Sequence, residues 1–184
     1  MQELETHLLS PELRISAYHD MPFAIFRYNP EEEFEMRAEI RALTTRLGRQ
    51  GRQVREVSLV SLMFEALEEV LGGEEGLQGL FRAEEEHGVE RAIDTVHRIL
   101  TEVRPLDEKV FERLIGLDPK NSVGLLTRAG DLFPVFRTSA LLENLMGRLD
   151  VPIVLFYPGT LEGAVGLRFM AVCEAEHNYR PKIY

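Results

Sequence analysis

The chain has 184 residues, with 31 acidic against 21 basic side chains and a formal net charge of −10. A surface of that sign repels phosphate backbones, because nucleic-acid affinity comes largely from Lys and Arg neutralising phosphates, so extensive direct DNA binding is disfavoured. The 45% apolar and 28% charged fractions are those of an ordinary globular protein, and no run approaches the roughly 18–20 apolar residues of a membrane span.

The length suits one domain, 1–184, with a substantial core, and no Ser/Gly-rich linker divides it. Met1-Gln2-Glu3-Leu4-Glu5 is acidic and lacks the basic flank and apolar core of a secretory signal, which points to the cytoplasm. Pro22 to Tyr28 is a short apolar, aromatic-rich run predicted as a buried strand. Asn29-Pro30 then supplies an N-cap and a proline at the first helical position. Met36, Ile40, Leu43 and Leu47 share one face of the helix that follows, and Gly48 to Gly51 stops it.

Val54 to Leu59 alternates as a partly exposed strand should, and the pairs Leu62/Met63, Ala66/Leu67 and Val70/Leu71 restore a helical period that Gly72-Gly73 ends. From Glu74 to Gly116 the pattern is helical throughout. Ile93, Val96, Leu100 and Val103 make one stripe, and Val110, Phe111, Leu114 and Ile115 another. This stretch, about 74–116, reads as a helical insertion between the second and third strands, with Glu84-Glu85-Glu86 as a solvated face.

A third strand is predicted at Val123 to Thr127, a turn at Ala129-Gly130-Asp131, a helix across Ser139 to Leu149 and a fourth strand at Pro152 to Tyr157. Leu167 to Val172 and Arg180 to Tyr184 are further strand candidates, and the single cysteine, Cys173, reads as a buried strand thiol beside Met170, Ala171 and Val172. Strands alternating with helices predict an α/β fold: one three-layer domain with a mainly parallel sheet of about five strands flanked by helices, Rossmann-like or P-loop-like in outline but without a P-loop.

In such a sheet ligands lie outside the carboxyl ends of the strands. The candidate positions are therefore Tyr28-Asn29-Pro30, Ser58 to Ser61, Thr127 to Gly130 and Tyr157-Pro158-Gly159. A phosphate cradle needs glycines whose N–H groups approach the anion, and a P-loop adds Lys followed by Ser or Thr. The first turn is instead Asn-Pro-Glu-Glu-Glu: Pro30 removes a donor, and Glu31, Glu32 and Glu33 put carboxylates at the positive end of the helix dipole. No Gly-x-Gly-x-x-Gly or Gly-x-Ser-x-Gly occurs, and the five histidines lack metal-ligand spacing. His19-Asp20 and His177 are the candidates for acid–base chemistry, against plain surface or capping roles.

Two basic segments stand out. Arg128 and Arg137 flank Ala-Gly-Asp-Leu-Phe-Pro-Val-Phe, which carries Phe133 and Phe136, and Arg168 and Arg180 accompany Tyr179. Arg forks and aromatics build interface hot spots, whereas the plainer reading puts the two phenylalanines in the core and pairs Arg137 with a surface carboxylate.

These segments resemble the BrxB family of BREX phage-resistance loci. The resemblance rests on residues 22–34 (PFAIFRYNPEEEF), 128–137 (RAGDLFPVFR), 141–145 (LLENL) and 151–159 (VPIVLFYPG), continued by Gly163, Leu167-Arg168-Phe169 and Asn178-Tyr179-Arg180. Arg27 and Asn29 stand where the family tends to carry aspartate, and the ending Asn-Tyr-Arg-Pro-Lys also departs from its pattern. The resemblance implies a component of BREX defence that associates with other BREX proteins, the alkaline-phosphatase-like PglZ protein first among them. It supplies no catalytic residue, metal or cofactor. The expectation is a non-catalytic interaction subunit whose partner-binding residues are Arg128, Phe136, Arg137, Tyr157, Arg168, Tyr179 and Arg180. The alternative is a degenerate nucleotide- or nucleic-acid-binding domain in which Arg128 and Arg137 contact phosphate.

Overall fold

The computed structural model describes residues 1–11, 13, 15, 22–163, 166–176 and 181–184. The chain is an α/β protein with a mainly parallel sheet covered by helices on both faces. In chain order its elements are α1 (Gln2–Leu9), β1 (Phe23–Tyr28), α2 (Glu33–Arg49), β2 (Gln53–Ser58), α3 (Leu59–Leu71), α4 (Glu74–His87), α5 (Val89–Arg98), α6 (Leu106–Leu114), β3 (Ser122–Thr127), α7 (Thr138–Leu145), β4 (Ile153–Glu162), β5 (Gly166–Phe169) and β6 (Lys182–Ile183). Short 3₁₀ turns at Pro30–Glu32 and Ala129–Leu132 lead out of β1 and β3, and a π turn at Ile99–Val103 extends α5.

The parallel path runs β2-β3-β4-β1-β6, and β5 folds back antiparallel onto the far half of β4. Strand alternation sorts the side chains cleanly. Phe23, Ile25, Leu126, Ile153, Leu155 and Tyr157 face one core, roofed by α3, α5, α6 and α7. Ala24, Phe26, Tyr28, Val123, Leu125, Val154 and Phe156 face the other, floored by α1 and α2 through Leu4, Leu8, Ile40, Leu43 and Leu47. Phe26 and Phe156 are register partners whose ring centroids lie 5.5 Å apart. Gly124 faces the roof, where a Cβ would come within 3.1 Å of Leu114; its bare backbone lets α6 lie close over β3.

An ionic seam ties α6 and the turn before it to α3. Lys109, with a side chain only 3% exposed, reaches Glu69 at 2.7 Å and Glu65 at 3.5 Å. Arg104 bridges Glu69 at 2.7 Å and Glu112 at 2.8 Å, and Arg113 pairs with Glu65. Hydrogen bonds from Lys109 first, then Arg104, hold the Glu69 carboxyl down at about 2. At the sheet's other edge the Tyr184 amide donates to Ile25 and its carbonyl accepts from Arg27, while Lys182 pairs with Glu3 at 2.7 Å.

Several boundaries move from the sequence expectation. The helix predicted at 139–149 ends at Leu145, and Gly147 takes a left-handed φ of +72° just beyond it. The strand predicted at 152–157 runs on to Glu162, because its far half pairs with β5. The candidate at 167–172 stops at Phe169, where Met170 and Ala171 turn with φ of +53° and +60°. Cys173 therefore lies beyond the strand and is half-buried, not a buried strand thiol. Val103 and Ile115, read as ends of apolar stripes, are exposed.

Candidate functional site

At the carboxyl ends of β1, β2 and β3 a cleft of about 270 Å³ opens between the sheet and α2. Tyr28 at the end of β1 donates its hydroxyl to Glu33 in the first turn of α2. Arg37, one helical turn on, donates from Nε to Glu33 at 2.7 Å, the i,i+4 spacing that places the two side chains on one face. Arg128, held at a left-handed φ of +62° after β3, pairs with Asp131 and lies 3.9 Å from Glu33. Arg37 also approaches Asp131 at 3.9 Å. Two guanidinium groups and two carboxylates thus neutralise one another around a phenol. Burial, reinforced by the Glu33 carboxylate, pushes the Tyr28 hydroxyl far above the ordinary phenol range, so it stays a neutral donor. The Thr127 hydroxyl donates to Glu56 at 3.2 Å in the same cleft.

The turn after β1 is likewise committed to its own structure. The Asn29 amide donates to the Glu32 carboxylate at 3.1 Å and the Glu32 amide to the Asn29 carbonyl at 2.9 Å. Two amides that a phosphate would recruit are engaged, and Pro30 has none to give.

The residues expected to form one docking surface separate into three settings. Phe136 and Tyr157 are buried in the roof-side core, and Tyr157 packs on Phe169 with centroids 5.4 Å apart. They support the surface from beneath and cannot themselves meet a partner. The reason is register: Tyr157 continues the Ile153, Leu155 alternation, and Phe136 fills the space between the loop after β3 and α7. Arg128 belongs to the cleft. Arg137, the residue preceding α7, has a side chain 62% exposed and lies 3.6 Å from Glu176, which bridges Leu167 in both directions at 3.0 Å. Arg168, on β5, pairs with Glu162 across the β4–β5 hairpin. Arg137 and Arg168 therefore flank the same hairpin. Tyr179 and Arg180 lie outside the described residues, as do His19, Asp20 and His177.

A second concavity was invisible in the sequence. An apolar groove of about 220 Å³ runs between α3, α4, α5 and the loop after β3. Phe64 on α3, Phe81 on α4, Val89 on α5 and Phe133 all line it and are exposed. Glu84 belongs to this wall, so the acidic run 84–86 is not wholly a solvated face. Leu77, Leu80 and Phe81 give α4 an ordinary apolar stripe, and only the packed structure shows that no residue of this helix is buried.

Among the described residues no three His, Cys, Asp or Glu side chains gather where they could hold a metal ion. Among the described residues no helix is long and apolar enough to cross a membrane. The described residues form an α/β protein in which Arg37 and Arg128, at the sheet's usual ligand edge, are paired with Glu33 and Asp131. The chain belongs to the BrxB family: the family model described as BREX protein BrxB matches residues 55–183, which takes in all the resembling blocks except 22–34 and everything from β3 to β6. A BREX protein BrxB of Bacillus cereus (strain H3081.97) is 29% identical over 146 residues, covering 79% of this chain and 74% of that relative. No solved structure matches the chain.

Proposed function

We propose that the chain serves BREX anti-phage defence as a non-catalytic interaction subunit that docks another BREX protein, PglZ first among the candidates. The observation that carries this reading is the self-neutralised cleft. Arg37 and Arg128, the two guanidinium groups of the ion-pair cluster at the sheet's carboxyl edge, are already opposed by Glu33 and Asp131 of the chain itself. A ligand would have to break those pairs and bring its own negative charge beside Glu33 and Asp131. Arg137 and Arg168 also meet carboxylates of the chain, Glu176 and Glu162, but their side chains are 62% and 41% exposed, against 27% for Arg37 and 33% for Arg128. They lie beside the β4–β5 hairpin with Phe136, Tyr157 and Phe169 packed in the core beneath. An exposed Arg set over packed aromatics is the composition of a protein-binding hot spot. Tyr179 and Arg180, outside the described residues, and Arg128, in the cleft, remain further partner-binding candidates of this proposal.

The test is copurification of the tagged chain with each BREX protein in turn. PglZ is captured, and Arg137→Glu, which adds a carboxylate beside Glu176, abolishes capture while leaving the melting temperature unchanged. Capture of no BREX protein, or capture insensitive to Arg137→Glu, refutes the reading. Calorimetric titration with ATP and GTP gives no heat under the same conditions; binding of either would favour the nucleotide alternative through Arg37 and Arg128.

A further inference from the structure

We propose that the groove between α4 and α5 is a second binding site, and that its occupant is a basic amphipathic helix of a partner protein. The inference goes beyond docking at Arg137 and does not depend on which BREX protein binds there. The groove's two walls have matched lengths. On α4 the lining positions run from Leu77 to Glu84, and on α5 from Val89 to Val96. Each wall is two helical turns long, about 10 Å, which fits the i, i+3/i+4, i+7 face of a docked helix. The floor is apolar, and Phe81 and Val89 remain 52% and 57% exposed on its rim. Such a seam between half-exposed helices leaves transferable apolar surface in water, and an occupant removes it.

Charge decides which helix fits. The charged residues lining the groove are Glu84 and Asp131, with no Lys or Arg among them; Asp131 is already paired with Arg128, so Glu84 and the acidic residues around the groove set its charge. The surrounding stretch 74–103 holds Glu74, Glu75, Glu84, Glu85, Glu86, Glu90, Asp94 and Glu102 against Arg82, Arg91 and Arg98. A partner helix with Lys or Arg flanking its apolar stripe meets opposite charge, and an acidic one meets like charge. A second copy of this chain is a poor occupant. It carries the same acidic rim, and its most arginine-rich helix, α2, has already buried its apolar stripe Ile40, Leu43 and Leu47.

The experiment uses the full chain and two fluorescein-labelled helical peptides of roughly 18 residues, long enough to hold helix when bound. Both carry Leu at the i, i+3, i+4, i+7 spacing, one with Lys and one with Glu elsewhere. Fluorescence anisotropy shows saturable binding of the Lys peptide and none of the Glu peptide. Phe81→Asp and Val89→Asp, both at exposed positions, each weaken the Lys peptide roughly tenfold or more, the loss of an anchor residue. These variants make the chain more acidic, so mere charge attraction predicts tighter binding instead. Unchanged or tighter binding by the variants, or equal binding of the Glu peptide, overturns the inference. So does a concentration-dependent dimer that Phe81→Asp abolishes, because the occupant would then be a second copy. Arg137→Glu leaves peptide binding unchanged, so failure here with Arg137-dependent capture intact removes the groove alone. A benzoylphenylalanine cross-linker at position 81, in the copurified complex, labels a basic helical segment of the partner; cross-links confined to extended or acidic segments overturn the proposal.

Discussion

Gly159→Ala is the sharpest single test of how the β4–β5 hairpin is built. Gly159 pairs with Phe169 in the antiparallel ladder, and a Cβ added there would stand 2.4 Å from the Arg168 carbonyl oxygen and 2.5 Å from a Tyr157 ring carbon. Ordinary contact begins near 3.4 Å, so the obstacle must retreat by about 1 Å. Neither obstacle can do so cheaply. Tyr157 is fully buried and braced by Phe169, and the Arg168 oxygen is backbone, which moves only if the hairpin opens. The cost falls toward the top of the overpacking range, about 2–3 kcal/mol. For a chain of this length that lowers the melting temperature by roughly 4–12 °C, read by circular dichroism. An unchanged melting temperature would show that the hairpin is not seated as described, and with it would go the support beneath Arg168.

Gly79, in the exposed middle of α4, has nothing within 4 Å of its added Cβ; Gly79→Ala therefore stabilises the chain by roughly 0.5–1 kcal/mol, raising the melting temperature by a few degrees. Gly76, three residues earlier, would place its Cβ 1.9 Å from the Leu71 carbonyl oxygen, so Gly76→Ala lowers the melting temperature where Gly79→Ala raises it. Acid weakens the α3–α6 seam. The folded Glu69 carboxyl sits at about 2 against 4.5 unperturbed, so its contribution is complete above pH 4.5 and fades as pH falls toward about 2. Lys109→Met removes its first partner, and the gap in melting temperature between parent and variant narrows as pH drops through that window. A gap that stays constant refutes the assignment.

Much of the fold was legible because strand alternation and helical stripes each report a local period. The β1 run, the capped turn after it and the mainly parallel alternation of strands and helices need only the residues themselves, whereas the strand order β2-β3-β4-β1-β6 does not show in them. Strand direction at 166–169 was not legible, since an apolar run is the same whether it lies parallel or folds back. The expected docking residues divided for a related reason. Phe133 and Phe136 stand three apart between two arginines, and composition gives no sign that the first stays in water while the second fills the core. Arg128 and Arg137 have the same side chain, yet one closes on Asp131 and the other projects beside the hairpin. The groove was hidden altogether, because its walls come from three helices and a loop and exist only once these are packed together.

The sheet order has a consequence for how the chain leaves the ribosome. β1 takes its neighbours from β4 and β6, so Phe23 to Tyr28 emerge more than a hundred residues before Ile153 to Pro158 can pair with them. During that interval one of the most apolar segments has both backbone edges open, while the helices between β2 and β3 gather on contacts much closer in sequence. Vectorial synthesis thus makes this a late-closing sheet, in which a nascent chain stalled before β4 displays an adhesive, unpaired strand.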